Sequence, residues 1–524
     1  MPQLLTLDFS DDWHALEYGW TLDQLERQVL PIYLSHQRWF ASKGAKIDRA
    51  ELINRSILSG LFDDWLLAIF RVHLAGDRSE DYFVPLAAVW DPQSPTQPPT
   101  DSNQVLANIC AGERTGILRD ALAEPRFAAD LARAAGNNMT LTGSQGALRF
   151  SHTHAYFPLQ DDEERNIRKL GAEQSNTSIL IASKMVLKAY RKLARGIQPE
   201  LEMGRYLTDV AGYRNTPPLL GTIEQFDASG QPAALAVIQG FVPNLADGWS
   251  FTLNHLRGLF DGILQGKSEH WDKDSFMALM ERLGTRIGEL HQALAMGTSD
   301  PAFEPEPISV ADLELQKNEI QTEAKITFGI LANSEAFLLP EQQTRVRALL
   351  GKQNHILSLI SSFIVEPGSA LAKTRFHGDL HLGQVLVAGD DFYIVDFEGE
   401  PARSFAQRRA KQSPIKDVAG MLRSLNYAAW SVLLESEAEE AGRLAQLQKP
   451  ALEWVQASSD AMLQGYMKAA KGCLSFPAKP TTFHRLLDLF ILEKALYEVR
   501  YELANRPSWL QIPVEGILSL LGHG

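Results

Sequence analysis

The sequence predicts a mixed α+β chain of two lobes, and three observations lead there. Strand-type alternation dominates the first half, and long apolar patterns of helical period dominate the second. One isolated strand pair interrupts those helices. A chain of 524 residues also asks for more than a single core.

Residues 1 to 90 mix short helical and alternating patterns, and Ile57 to Leu74 places two apolar runs around Asp63 and Asp64, a hairpin pattern. Asp91 to Gln104, rich in Pro, Ser and Thr, reads as a linker. A helical segment follows at Ala121 to Ala135, then strand-like pieces from Ala147 to Tyr190 and an apolar strand within Leu235 to Asn244. From about residue 245 the apolar spacing predicts helices at Phe276–Ala295, Glu341–Phe363 and Arg485–Leu503. The exception is QVLVAGDDFYIVDF, two apolar runs around the turn Ala388 to Asp391. The expected organisation is an amino-terminal subdomain over 1–100, an intermediate subdomain over 101–240 that completes the first lobe, and a mostly helical second lobe over 241–524, with a cleft between lobes.

A formal charge of −14 argues against non-specific attraction to nucleic acid or anionic lipid. Cys110 and Cys473 lie far apart and suit a reducing compartment better than a disulfide scaffold. The opening MPQLLTLDFSDDWH lacks a basic region followed by an apolar run, and no apolar stretch approaches the ~20 residues of a membrane span. A cytoplasmic protein with neither nucleic-acid nor membrane partners is expected.

Chemistry concentrates in His377-Gly378-Asp379-Leu380-His381-Leu382-Gly383-Gln384 and, beyond the hairpin, Asp396-Phe397-Glu398. Phosphoryl transfer needs a carboxylate to orient and deprotonate the attacking hydroxyl, and oxygen ligands to hold magnesium against the phosphates of ATP. A loop can aim Asp379 and Gln384 at one point, and the hairpin returns Asp396 to it. One carboxylate, one amide carbonyl and phosphate oxygens satisfy magnesium, which keeps several waters. A lone HGD is usually a turn and a lone DF at a strand end is common; together, bracketing a clean hairpin, they are hard to obtain by chance.

The nucleotide side is less marked, since neither G-x-G-x-x-G nor a Walker sequence occurs. Ser175, Asn176 and Thr177 lie in a polar turn whose hydroxyls, amide and backbone N–H groups could meet phosphates. Alternation puts Val186, Lys188 and Tyr190 on one strand face. An inward lysine asks for an anion such as a nucleotide phosphate, whereas an edge-strand lysine snorkels into water; the residues alone leave both open. The backbone from Gln239 to Val242 is either an adenine-reading hinge or the exit of a core strand.

HGDLHLGQVL, DFEGEP (396–401) and SPIKDVAGMLRSLNYAA (413–429) resemble the maltokinases, within the aminoglycoside-phosphotransferase-like relatives of protein kinases. EQSNTS before the Lys188 strand, QRWFASKGAK (37–46) and a YE…YE…NRP pattern near the carboxyl end are similar to the same family. The resemblance implies a two-lobed protein-kinase-like fold with an N-terminal cap. It implies Asp379 as catalytic base, Gln384 and Asp396 as magnesium ligands, and Lys188 on the phosphates, with Glu202 favoured over Glu200 as its partner. His377, Tyr497, Glu498, Tyr501 and Arg506 fall to the sugar side, although the aromatic and acidic face of that last helix is also what a salt-bridged helix shows. Asp417 and Arg423 are expected to brace the catalytic loop. The basic residues Arg403, Arg408, Arg409, Lys411 and Lys416 either draw ATP in or form a solvated loop.

The implied reaction is ATP plus maltose giving ADP and maltose 1-phosphate, beside trehalose metabolism and in association with a trehalose synthase. A kinase for an amino sugar or aminoglycoside is the first alternative, because the catalytic residues read the phosphate and not the acceptor. A catalytically inactive nucleotide-binding module is the second, and a protein kinase is disfavoured by the missing glycine-rich loop, HRD and APE sequences.

Overall fold

The computed structural model describes residues 4–10, 12–90, 102–160, 166–171, 175–266, 273–363 and 371–522. Most of the Pro-rich linker, and Glu173 and Gln174 of the polar turn, lie outside the described residues. The chain divides into two compact units, Met1–Val210 with Pro217–Phe241, and Ala211–Thr216 with Val242–Gly524.

Among the described residues the first unit holds two sheets. The hairpin expected around Asp63 is there but longer, Ile47–Ser59 against Asp64–Leu74, closed by Gly60 N–H on the Asp63 carbonyl at 2.9 Å. It belongs to an eight-stranded sheet, while Asn176–Ile181, Met185–Tyr190, Pro232–Gly240 and Leu219–Phe226 are consecutive strands of a seven-stranded one. The helix Pro125–Gly136 joins the two: Phe127, Leu131 and its alanines are buried with Trp65 and Ile69 of one sheet and Ile181 and Leu187 of the other. Each large apolar side chain so buried contributes on the order of 1.5–3 kcal/mol. The Trp-Phe pair of QRWFASKGAK is core, with Trp39 and Phe40 each 2% exposed. Trp39 carries the Arg191 guanidinium on its ring, and Arg191 pairs with Asp120 at 2.8 Å with both side chains buried.

The second unit is mainly helical. The helix expected at 276–295 runs Lys273–Leu294; the one expected at 341–363 is broken into Pro340–Gly351 and Gln353–Ser361; the last long helix begins earlier than expected, Pro480–Asn505. Sequence patterning had not resolved Val310–Ser334 or Arg443–Ala469, whose buried faces are narrow. Lys273–Leu294 and Arg443–Ala469 meet along glycines: a Cβ at Gly284 or Gly465 would overlap a carbonyl of the facing helix. The hairpin Val385–Ala388 and Asp391–Ile394 forms with Ala246–Asp247 a three-stranded sheet. Among the described residues no helix is long and apolar enough to cross a membrane.

Candidate active site

In the second unit the segment 376–384 is held from three sides. The Asp417 carboxylate, at the start of helix Ile415–Glu439, accepts the His377 and Gly378 N–H groups at 2.8 and 2.9 Å. Leu382 N–H donates to Ser424 Oγ at 3.0 Å, and Val395 N–H donates to the Gln384 carbonyl at 2.9 Å. Gly420 lets that helix come close, since a Cβ there would overlap the Leu380 carbonyl. The hairpin then delivers Asp396 to Gln384, whose Nε2 donates to Asp396 Oδ2 at 2.9 Å. Asp396 has φ +66°, a left-handed backbone that non-glycine residues adopt only where the surroundings impose it. This donor set, an amide oxygen beside a carboxylate, is hard and suits magnesium.

Asp379 faces a cavity of about 460 Å³, inside the roughly 300–1,000 Å³ of ordinary small-molecule sites. Its walls carry Glu400, Glu493, Lys494, Tyr497 and Arg500, and Lys494 Nζ stands 3.7 Å from the Asp379 carboxylate. Burial, with Glu400 and Asp379 nearby, raises the Tyr497 phenol above its usual range. Burial also holds His381 below the ordinary histidine value, and its ring accepts the Gly383 N–H.

Several sugar-side expectations are corrected. His377 is buried at 2% exposure; its Nε2 donates to the Val395 carbonyl at 2.9 Å and its ring packs on Phe397, so it builds the loop and does not face the cavity. Glu498 is buried against Arg423 at 2.8 Å, which makes Arg423 a brace between helices, and burial raises its carboxyl above the usual range. Arg506 is paired to Glu502 at 2.7 Å and stacks over Trp509. Tyr501 stacks on Tyr497 with ring centroids 6.4 Å apart, but of the five residues only Tyr497 lines the cavity. Lys494 was missed in the sequence, although it sits one turn before Tyr497 and so shares its helix face.

The basic stretch resolves into local pairs. Arg403 bonds Glu400 at 2.6 Å, Arg408 donates to the carbonyls of Pro401 and Arg403, Lys411 meets Glu306 at 2.6 Å, and Lys416 meets Glu493 at 2.9 Å.

In the first unit, Lys188 Nζ meets Glu200 Oε2 at 2.8 Å, correcting the preference for Glu202. Both acids open the helix Pro199–Arg205, but positions two apart point to different sides, and Glu200 is the buried one. Thr177 is likewise corrected: it is fully buried in its strand, its hydroxyl accepting Arg191 Nε at 2.7 Å, and is closed to a phosphate. Asn176 opens the same strand opposite Tyr190, and Ser175 is exposed just before it. Gln239 pairs through its backbone with Val186 and Leu219, so its main chain belongs to the sheet, while its side chain donates to Glu200 at 3.4 Å. Val242 follows outside the strand, its carbonyl accepting Asn244 Nδ2 at 2.9 Å.

A loop aspartate on a cavity, an amide–carboxylate pair returned by a hairpin, and a strand lysine held by a helix glutamate together define the protein-kinase-like class of phosphotransferases. Residues 33–123 match the maltokinase N-terminal cap domain. The chain is similar to the glucosamine kinase of Streptacidiphilus jiangxiensis, 23% identical over 359 residues, 68% of this chain and 73% of that protein. It is similar also to the glucosamine kinase of Mycolicibacterium smegmatis, 26% identical over 375 residues, 69% of this chain and 81% of that protein. A solved glucosamine kinase in complex with glucosamine, ADP and inorganic phosphate shares the fold, with TM-score 0.62 and 18% identity over 94% of this chain and 99% of that one. These matches support a maltokinase-like kinase, with the fold of the solved glucosamine kinase and a maltokinase-type cap over residues 33–123.

Proposed function

We propose that this protein transfers the γ-phosphoryl group of ATP to the anomeric hydroxyl of maltose, giving maltose 1-phosphate and ADP. The observation that carries the phosphotransfer reading is Asp379 on the wall of the cavity, in the same short loop that brings Gln384 to Asp396. Asp379 accepts the proton of the sugar hydroxyl as its oxygen bonds the γ-phosphorus and the bond to the ADP oxygen breaks. Gln384 and Asp396 would hold magnesium, which when bound neutralises charge on the phosphates. In the first unit, Lys188, oriented by Glu200, presents a cation suited to a nucleotide phosphate, and Ser175 of the same unit presents a hydroxyl. Tyr497 offers a ring face to the sugar, and Lys494 a donor to its hydroxyls.

The maltose assignment is supported by the matched cap domain and by the DFEGEP and SPIKDVAGMLRS segments. It carries with it a cytoplasmic place, where ATP is supplied, and a working association with a trehalose synthase that delivers maltose. An amino sugar is the second reading, favoured by the two glucosamine kinase relatives. Phosphorylation at the anomeric carbon destroys the reducing end. A reducing-end assay run alongside ADP release therefore tests the maltose reading: equimolar loss is expected, and ADP release with the reducing end intact contradicts it.

A further inference from the structure

Acids on the wall of the cavity beside Asp379 already hold cations. Glu400 accepts from Arg403 at 2.6 Å, Glu493 holds Lys416 at 2.9 Å, and Glu323 is paired with Arg500. The Lys416–Glu493 pair is tied to the base through both of its neighbours in sequence. Lys416 precedes Asp417, whose carboxylate accepts the Gly378 N–H just before Asp379. Glu493 precedes Lys494, which stands 3.7 Å from the Asp379 carboxylate. The two side chains are 15% and 24% exposed, so solvent and salt screen their charges only in part. The Lys416 ammonium also lies over the ring of Phe490, another wall residue, 5.3 Å from its centroid. Arg403, a second cation that feels Glu493, directs its hydrogen bond to Glu400.

We propose that Lys416 is a specificity-determining residue: paired with Glu493, it makes the cavity select a neutral sugar and reject one that carries an ammonium group. The proposal rests on the reading of this site as that of a sugar kinase with Asp379 as base, and names what the site discriminates. A lysine and a carboxylate in contact present a donor and an acceptor side by side. Adjacent sugar hydroxyls, each able to donate and to accept, complement that pair without separating it. An ammonium group only donates. To reach Glu493 it must displace Lys416, and short of that it meets a like charge, the repulsive element from which specificity is commonly built. Phe490 and Tyr497 offer ring faces to the C–H side of either kind of sugar, so they do not discriminate.

The test measures kcat/KM of the full-length parent, Lys416→Met, Lys416→Arg and Glu493→Gln for maltose, glucose and glucosamine, below neutral pH where the sugar amine is protonated. The parent is expected to favour the neutral sugars. In Lys416→Met the values for maltose and glucose should fall about tenfold, the worth of one hydrogen bond to a charged group, and that for glucosamine should rise about tenfold as Glu493 is released. Lys416→Arg keeps the charge and should hold the neutral-to-ammonium ratio within about threefold of the parent's. Glu493→Gln leaves the lysine without its carboxylate and should lower glucosamine turnover further. KM for ATP should stay within about twofold in all three variants. A parallel loss with all three sugars in Lys416→Met would make the pair a brace between helices and overturn the proposal, as would a parent that prefers glucosamine. Should Lys416→Met not fold, Lys416→Gln, which keeps a donor without the charge, decides by the same ratio. Turnover of glucose well above that of maltose would refute the maltose reading and leave the proposal to the ratio. An unmoved ratio beside strong turnover of maltose would do the reverse.

Discussion

Lys188 and Glu200 form an ion pair at 2.8 Å in the first unit, and the Tyr190 hydroxyl donates to the same carboxylate oxygen at 2.5 Å. A buried carboxylate with a cation and a hydroxyl on one oxygen is anchored, and it points the lysine. Glu200→Gln keeps the shape and removes the charge. KM for ATP is expected to rise about tenfold, whereas Glu202→Gln should stay within about twofold. ATP titrations of the two variants check this, and equal effects would remove the special standing of Glu200.

Asp379→Asn should fold normally and lose about 10²–10⁴ in kcat, the usual worth of a general base. Turnover at saturating ATP and sugar measures it. Activity equal to the parent's would mean that another group accepts the proton.

The Arg423–Glu498 pair joins helix Ile415–Glu439 to helix Pro480–Asn505, with both side chains at most 10% exposed. Arg423→Met leaves a buried carboxylate alone, and a loss of about 3–5 kcal/mol in unfolding free energy is expected. The double variant with Glu498→Gln should lose less than the sum of the single losses. Chemical denaturation of the three proteins gives the coupling, and additive losses would argue against a brace.

Acid sensitivity should depend on Asp312, which caps helix Val310–Ser334 with Ser309. A hydrogen bond from Lys373, and then those from Ser309, hold its carboxyl at about 2 against an ordinary 3.8. Because the folded value is the lower one, its stabilisation is complete above the unfolded value and drains away as pH falls from about 3.8 toward about 2. Asp312→Asn should therefore be less stable than the parent at neutral pH and converge on it near pH 2, as thermal melts across that range would read. A constant difference at every pH would contradict the linkage.

The parts legible in the sequence were those where one residue type is fixed by chemistry or by a period of two. The hairpin between Gln384 and Asp396 and the strand carrying Lys188 were of that kind. Helix faces were harder, because spacing tells which residues share a face but not whether that face meets solvent, a cavity or another helix. Glu498 and Tyr497 are neighbours in sequence, yet one is sealed against Arg423 and the other opens on the cavity. The same ambiguity led to Glu202 in place of Glu200, and only the position of the sheet distinguishes them. Thr177 looked like a phosphate ligand because a polar cluster reads as a turn, and a buried arginine, Arg191, is what its hydroxyl serves.

The most direct test of the central claim is ADP release with ATP and magnesium over maltose, glucose, trehalose, glucosamine and an aminoglycoside. Turnover with maltose well above that with every other acceptor is the predicted result. Turnover confined to glucosamine would keep the kinase chemistry and overturn the maltose assignment, and ADP release with none of the acceptors would contradict the account of Asp379 as a working base.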